Sequence, residues 1–130
     1  MPWVVRFDDA FEPEFDQLTP GVQAELLARA RVLEQFGPQL GRPHVDTLTG
    51  SKYPNMKELR FHCEDGLWRV AFAFDPKREG ILLAAGNKAG ANQERFYEQL
   101  IGIADGRFAA HLEAVREARA KAKAEKDKKK

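Results

Sequence analysis

The sequence lacks the residues that several classes of protein need. It has one cysteine among 130 residues, Cys63, so no disulfide can form within the chain and a reducing, cytoplasmic location is expected. No apolar run is long enough to cross a bilayer and no signal-peptide pattern opens the chain, so we expect no membrane contact. No Cys, His and acidic residues have metal-ligand spacing, and no glycine-rich loop suits a phosphate. The sequence therefore predicts neither a metal nor a cofactor.

Charge is distributed unevenly along the chain, although the net charge is only +1. Residues 1–41 hold three basic and seven acidic side chains, whereas residues 116–130 hold eight basic and three acidic ones. Positive charge is thus concentrated in the central region and the tail, where it would attract a polyanion. The modest overall balance argues against broad, nonspecific binding of nucleic acid.

The size and composition predict one folded domain followed by a tail. A chain of 14.7 kDa with 43% hydrophobic residues can bury one core but has no room for two. Beyond Val115 the alanine- and lysine-rich sequence has no apolar face, as in a solvated helix that frays. We place the domain at residues 1–112 and a charged, helical or disordered tail at residues 113–130.

The N-terminal third reads as a strand and two helices. Residues 2–7 are β-branched and aromatic, and Asp8 or Asp9 can cap a short helix, with Glu12 at capping-box spacing. Thr19 and Pro20 predict the N-cap and first residue of a longer helix, which Phe36-Gly37-Pro38 ends. We expect these helices to form an αα-hairpin against a sheet, and residues 37–54 to form a loop pinned by Val45 and Leu48.

The stretch Asn55–Lys88 predicts three antiparallel strands. Turn residues at 64–66 and 75–80 separate three runs that alternate between apolar and polar or small residues. A helical region follows from Asn92, and Gly106 predicts a break in it. The predicted fold class is α+β: an N-terminal strand and αα-hairpin packed on a small, mainly antiparallel sheet, with a C-terminal helix.

Alternation assigns the strand residues to two faces. We predict a core face built from Leu59, Phe61, Cys63, Trp68, Val70, Phe72, Phe74, Ile81, Leu83 and Ala85. The other face carries Glu58, Arg60, His62, Arg69, Ala71, Ala73, Leu82, Ala84, Gly86 and Lys88. This second face should be an open, shallow trough of small residues surrounded by cations.

Short motifs in this order resemble the RelE/ParE toxin superfamily, and most closely its HigB-like branch, which includes phage-derived toxin-like proteins. The motifs are Leu48-Thr49-Gly50, Lys57-Glu58-Leu59-Arg60, Leu67-Trp68-Arg69-Val70 and Ile81-Leu82-Leu83 followed by Lys88. Each motif is short, but their order and spacing together are fairly specific. The resemblance covers about residues 1–112 and implies the RelE-like fold.

The resemblance implies a toxin of a type II toxin–antitoxin system that cleaves mRNA, usually at the ribosome, and that a cognate antitoxin silences. Members of this kind are metal-free endoribonucleases in which the ribose 2′-hydroxyl attacks the adjacent phosphate. That reaction needs a base for the hydroxyl, cations for the charge growing on phosphorus, and an acid for the leaving oxygen. Clustered cations lower one another's pKa values, which would make a lysine a usable base.

Carried over residue by residue, the resemblance assigns the catalytic cations. Arg60 and Arg69 would hold and neutralise the phosphate, and Lys88 would be an acid or a phosphate ligand. Lys57 is the candidate base, although alternation places it on the Leu59 side of its strand.

Two further residues are candidates for substrate binding. Glu58 would orient Arg60, and Tyr97 would stack on a base. Both follow from the resemblance to the family.

A non-catalytic function is the alternative: a toxin-fold protein that acts by binding a partner, such as a ParE-like gyrase inhibitor or a degenerate phage remnant. Gyrase-directed members generally lack the cation set that this chain retains. A simple RNA-binding module is disfavoured by the acidic N-terminal region and by the lack of aromatic residues among the cations.

Overall fold

The computed structural model describes residues 2–128. Its elements in chain order are β1 (Val5–Phe7), α1 (Glu12–Asp16), α2 (Pro20–Phe36), a 3₁₀ turn (Gly37–Gln39), β2 (Val45–Thr47), β3 (Lys57–Cys63), β4 (Gly66–Phe74), β5 (Gly80–Asn87) and α3 (Gln93–Lys128). The predicted α+β class and the three central strands are confirmed.

The strands form one five-stranded sheet in the order β1-β5-β4-β3-β2. β1 runs parallel to β5 and the other neighbours are antiparallel, as predicted for a mainly antiparallel sheet. Glu64 and Asp65 have positive φ angles in the β3–β4 turn, which matches the twist of a tight hairpin. The edge strand β2 falls within residues 37–54, where a loop was predicted. Three residues are too few for alternation to indicate a strand.

The long helix α2 begins and ends where the sequence predicts. The Thr19 hydroxyl accepts a hydrogen bond from the Val22 N–H at 3.3 Å, and Pro20 is the first helical residue. Gly37 ends the helix at a φ of 62°. The capping box predicted for α1 is wrong: the Asp8 carboxylate accepts from the Ala10 N–H, and the helix begins only at Glu12.

The first core lies between the sheet and α2. The α2 residues Val22, Leu26, Ala30 and Leu33 pack there against the strand residues Leu59, Phe61, Val70, Phe72 and Leu82. A β-bulge explains the unexpected Leu82, because Ala71 pairs with Ala84 whereas Phe72 pairs with Leu82. The extra residue turns Leu82 toward α2 and sends Ile81 and Leu83 to the other face, which reverses the face predicted for all three.

The second core contradicts the predicted open trough, because α3 covers most of the small residues. Ala71, Ala73 and Ala84 are buried against side chains of α3. These α3 residues are Leu100, Ala104 and Phe108. Small side chains on the sheet let the helix approach closely, so a row of alanines here indicates a packed helix and not an open surface.

The helix α3 is continuous from Gln93 to Lys128, so the break predicted at Gly106 is wrong. Gly106 lies on the exposed side of the helix, where its cost of about 1 kcal/mol is offset by packing on the opposite side. Ile103, an apolar residue of the same helix, is 48% exposed.

The predicted boundary at residue 112 remains a proposal. Val115 is buried, while the described side chains from Arg116 onward are exposed, and Lys129 and Lys130 of the predicted tail lie outside the described residues. Within residues 2–128, no helix is both long enough and apolar enough to cross a membrane.

Candidate active site

Three cations gather where β3, β4 and β5 meet the N-terminal end of α3. Arg60 and Arg69 are direct cross-strand partners, and Lys88 follows the end of β5. We call Arg60, Arg69 and Lys88 the cation cluster. Like charges directly opposite each other destabilise a sheet unless other groups balance them.

Arg69 is buried, not exposed as the open-trough prediction required: it is 4% exposed and Glu58 is 6% exposed. The Arg69 Nε lies 3.5 Å from the Glu58 Oε1. The Tyr97 hydroxyl donates to the same Glu58 oxygen at 2.9 Å and accepts from the Arg69 Nε at 3.4 Å. The Arg69 Nη1 donates to the Trp68 carbonyl at 3.0 Å. These contacts join the buried Glu58 and Arg69 to the half-buried Tyr97, and we call the three residues the Glu58–Tyr97–Arg69 triad.

Burial and charge shift the pKa values of this group in different directions. Burial raises the pKa of Glu58, against the opposing effects of the Tyr97 hydrogen bond and the charges of Arg69 and Arg60. Burial also raises the pKa of Tyr97, so its hydroxyl stays protonated and donates. The pKa of Lys88 is lowered by burial and then by the positive charges of Arg69 and Arg60.

An open recess of about 350 Å³ lies beside the triad. Its lining residues are Arg42, Asp46, Thr47, Leu48, Thr49, Glu58, Arg60, Lys88, Gln93 and Tyr97; we call it the Tyr97 recess. Arg60 is 29% exposed and contacts Asp46 at 3.8 Å, so much of its charge is available to a ligand. The Lys88 ammonium lies 5.6 Å from the centre of the Tyr97 ring, a cation–π distance.

The structure brings five of the six predicted site residues together and leaves Lys57 apart. The Lys57 ammonium donates to the Pro38 carbonyl at 3.0 Å, on the opposite face from Arg60 and Glu58. Glu58 was expected to orient Arg60, but it contacts Arg69 and Tyr97. Tyr97 comes from α3, and alternation within strands carries no information on which helix packs above them.

Arg42, Asp46 and Gln93 line the recess although they were not predicted. Asp46 accepts from Arg42 at 2.6 Å, and that hydrogen bond is the main reason its pKa is lowered. Arg42 and Asp46 lie in or beside the unpredicted strand β2, which carries them to the edge of the site. Their only sequence signal is the i, i+4 spacing of opposite charges.

Comparison with known proteins identifies a family and two relatives of this chain. Residues 13–109 match the model of the phage-derived protein Gp49-like family. A candidate toxin of Mycobacterium tuberculosis, HigB2, is 50% identical over 88 residues, which cover 67% of this chain and 43% of HigB2. HigB3, a second candidate toxin of that organism, is 45% identical over 93 residues, covering 72% and 79%. The chain thus spans less than half the length of HigB2 and most of HigB3.

A solved structure also shares the fold. A double arginine-to-alanine mutant of the Escherichia coli toxin RelE, in the free state, superposes with a TM-score of 0.56 at 13% identity. The match covers 78% of this chain and 95% of the RelE chain. At this identity the likeness concerns the fold alone, and it confirms the predicted RelE-like architecture.

Proposed function

We propose that this chain is a type II toxin that cleaves mRNA. It belongs to the Gp49-like family of phage-derived proteins and to the HigB-like branch of the RelE/ParE superfamily. Two relatives are named as candidate toxins, and a solved toxin shares the fold. The observation that carries the enzymatic part is the cation cluster beside the Tyr97 recess. A cognate antitoxin and mRNA, bound at the ribosome, are the proposed partners.

The proposed reaction is attack of a ribose 2′-oxygen on the adjacent phosphorus. The 2′-hydroxyl loses its proton, the new O2′–P bond forms, and the P–O5′ bond breaks as the leaving 5′-oxygen takes a proton. The products are a 2′,3′-cyclic phosphate and a 5′-hydroxyl. Arg60, which lines the recess, and Arg69, which contacts its lining residues Glu58 and Tyr97, stabilise the negative charge that develops on phosphorus.

Two carboxylates line the Tyr97 recess and have opposite pKa shifts. The hydrogen bond from Arg42 lowers the pKa of Asp46 and makes it a weak base, whereas burial raises the pKa of Glu58. Opposite pKa shifts of two neighbouring carboxylates indicate different roles: the one with the raised pKa is the better proton acceptor. Glu58 is therefore the proposed acceptor of the 2′-hydroxyl proton, and Lys88 the proposed donor to the leaving oxygen.

The first test is the chemistry of the RNA ends. Expression of the chain is expected to arrest growth and to produce mRNA fragments with 5′-hydroxyl and cyclic phosphate ends. Co-expression of the neighbouring gene's product should suppress both effects. Growth arrest without new RNA ends would refute the proposed cleavage and favour the alternative, a toxin fold that acts by binding a partner.

The pH dependence of cleavage tests the role of Lys88. If its ammonium donates a proton, cleavage should fall at alkaline pH with an apparent pKa below the ordinary lysine value of 10.5. Lys88→Arg should remove this alkaline decline, because a guanidinium stays protonated, and should reduce the rate about 100-fold. Single-turnover rates on an RNA oligonucleotide, corrected for protein-free hydrolysis, provide the measurement. A wild-type rate that shows no alkaline decline would exclude Lys88 as the proton donor.

A further inference from the structure

A second and larger recess shares the lining residue Arg60 with the Tyr97 recess. Its volume is about 510 Å³, and its lining residues are Arg29, Arg42, Pro43, His44, Arg60, Phe61, His62 and Arg69. We call it the histidine recess. Its lining includes four arginines and two histidines but no aspartate or glutamate of the described residues. Arg42 and Arg60 line both recesses, so the two are neighbours.

The short strand β2 creates this space. β2 pairs with β3 only from Lys57 to Leu59, and the last contact between the two segments is the Arg60 N–H donating to the His44 carbonyl at 2.9 Å. Beyond that point the edge of β3 has no β2 partner. Arg29 reaches the gap from α2, and its Nη1 lies 3.5 Å from the His44 Nδ1.

The carboxylates that balance these arginines do not line the histidine recess. Arg69 is paired with buried Glu58, Arg42 and Arg60 share Asp46, and Arg29 contacts Glu25 at 3.3 Å. The four arginines are therefore paired with three carboxylates, which leaves one positive charge in excess. The Arg29 Nε is also buried and has no hydrogen-bond partner within residues 2–128.

We infer that the histidine recess binds a phosphodiester of the RNA neighbouring the one that is cleaved, so that the strand crosses Arg60 from one recess to the other. Guanidinium groups bind phosphate with paired, charge-assisted hydrogen bonds, and four of them without a lining carboxylate suit a polyanion. The inference rests on the proposed function, because it concerns the same RNA. An acidic segment of an antitoxin is the competing ligand, disfavoured because the recess shares Arg42 and Arg60 with the proposed site of cleavage.

Binding of an RNA that cannot react separates this inference from catalysis. The probe is an oligonucleotide of about 12 residues, 2′-O-methylated throughout, which keeps the phosphates but blocks the nucleophile. Its affinity is measured by fluorescence anisotropy over a range of salt concentrations. Arg29→Gln and Arg42→Gln are compared with Arg31→Gln, an exposed arginine on the same helix as Arg29 and outside both recesses.

Arg29→Gln and Arg42→Gln should each weaken binding about 10-fold and reduce the slope of log affinity against log salt by about 0.7. Arg31→Gln should change neither quantity. In cleavage assays the KM of Arg29→Gln, whose residue lines only the histidine recess, should rise with little change in kcat. The Arg42 side chain is 74% exposed, so this variant is expected to fold even if Arg29→Gln does not.

The outcomes distinguish the inference from the proposed function. If the chain cleaves RNA but both recess variants bind the probe as Arg31→Gln does, the inference is overturned and the proposed function stands. If cleavage is absent but the recess variants still bind less tightly, the recess binds RNA and the proposed cleavage fails. If the variants lose affinity for the antitoxin and not for the probe, the inference is overturned, and the recess binds an acidic segment of the antitoxin instead.

Discussion

Replacing Arg69 with methionine is expected to reduce RNA cleavage by about 100-fold or more and to destabilise the fold by about 3 kcal/mol. Arg69 supplies positive charge to the proposed phosphate site and also neutralises Glu58, whose side chain is 8% exposed. Methionine fills similar space but leaves a buried carboxylate without its cation. The loss of activity alone would therefore not show a catalytic role.

The double variant Arg69→Met/Glu58→Gln separates the two effects. Removal of one member of a buried ion pair is costly, whereas removal of both is often neutral, so urea unfolding should give a stability close to that of the wild type. The glutamine amide that replaces the Glu58 carboxylate retains an oxygen for the Tyr97 hydroxyl. Cleavage should stay about 100-fold or more below the wild type in this folded protein. A stable double variant that cleaves RNA normally would exclude both residues from the reaction.

The pH dependence of the single variant gives an independent check. Burial raises the pKa of Glu58 in the native protein, and loss of Arg69 should raise this pKa further. A group whose pKa is raised by folding contributes stability at low pH and loses that contribution as pH rises through the folded pKa. The stability deficit of Arg69→Met should therefore be smaller at about pH 5 than at about pH 8. Equal deficits at both pH values would mean that Glu58 is not the group responsible.

The sequence predicts much of this fold because several of its local signals are strong. Thr19 and Pro20 match the chemistry of a helix N-terminus, and Glu64-Asp65-Gly66 matches a tight turn. Alternation in β3 and β4 is regular, so it correctly places Arg60 and Arg69 on one face. Where local chemistry and tertiary packing favour the same structure, the sequence alone is sufficient.

The features that the sequence does not predict all depend on tertiary contacts. A bulge in β5 reverses the faces of Ile81, Leu82 and Leu83, and one inserted residue leaves no trace in an apolar run. Ala71 and Ala73 look like an open surface until α3 is seen to cover them. The sequence also does not predict the path of the segment before β3, so it does not predict that Arg42 and His44 line the histidine recess.

A second large effect is expected far from the cation cluster, at a buried contact between Asp75 and His111. The His111 Nε2 lies 2.7 Å from the Asp75 Oδ2, and the Asp75 side chain is fully buried. The other carboxylate oxygen accepts from the N–H groups of Lys77 and Glu79 at 2.9 and 3.0 Å. One carboxylate therefore holds the β4–β5 turn and attaches it to α3, about 20 Å along the helix from Tyr97.

Asp75→Asn is expected to lower the free energy of unfolding by about 2 kcal/mol at neutral pH, through loss of charge-assisted hydrogen bonds. Burial acts to raise the pKa of Asp75, but the hydrogen bonds from His111 and from the backbone of Glu79 and Lys77 outweigh it, so the pKa is lowered. A group whose pKa is lowered by folding contributes stability above its unfolded value, about 3.9, and loses it as pH falls through the folded pKa. The difference between wild type and variant should therefore shrink below about pH 4.

Urea unfolding of both proteins between about pH 2 and pH 8 measures this difference, with Asp9→Asn as the control. Asp9 is an exposed carboxylate that lines a surface recess beside His111, so its substitution should change stability by less than about 0.5 kcal/mol. The Asp75→Asn protein that remains folded should cleave RNA at the wild-type rate, because Asp75 and His111 line neither of the recesses at the site. Parallel stability curves for wild type and Asp75→Asn would show that the carboxylate charge does not hold α3 to the turn. A slower cleavage rate in the folded variant would show that this end of α3 controls the position of Tyr97 at the other.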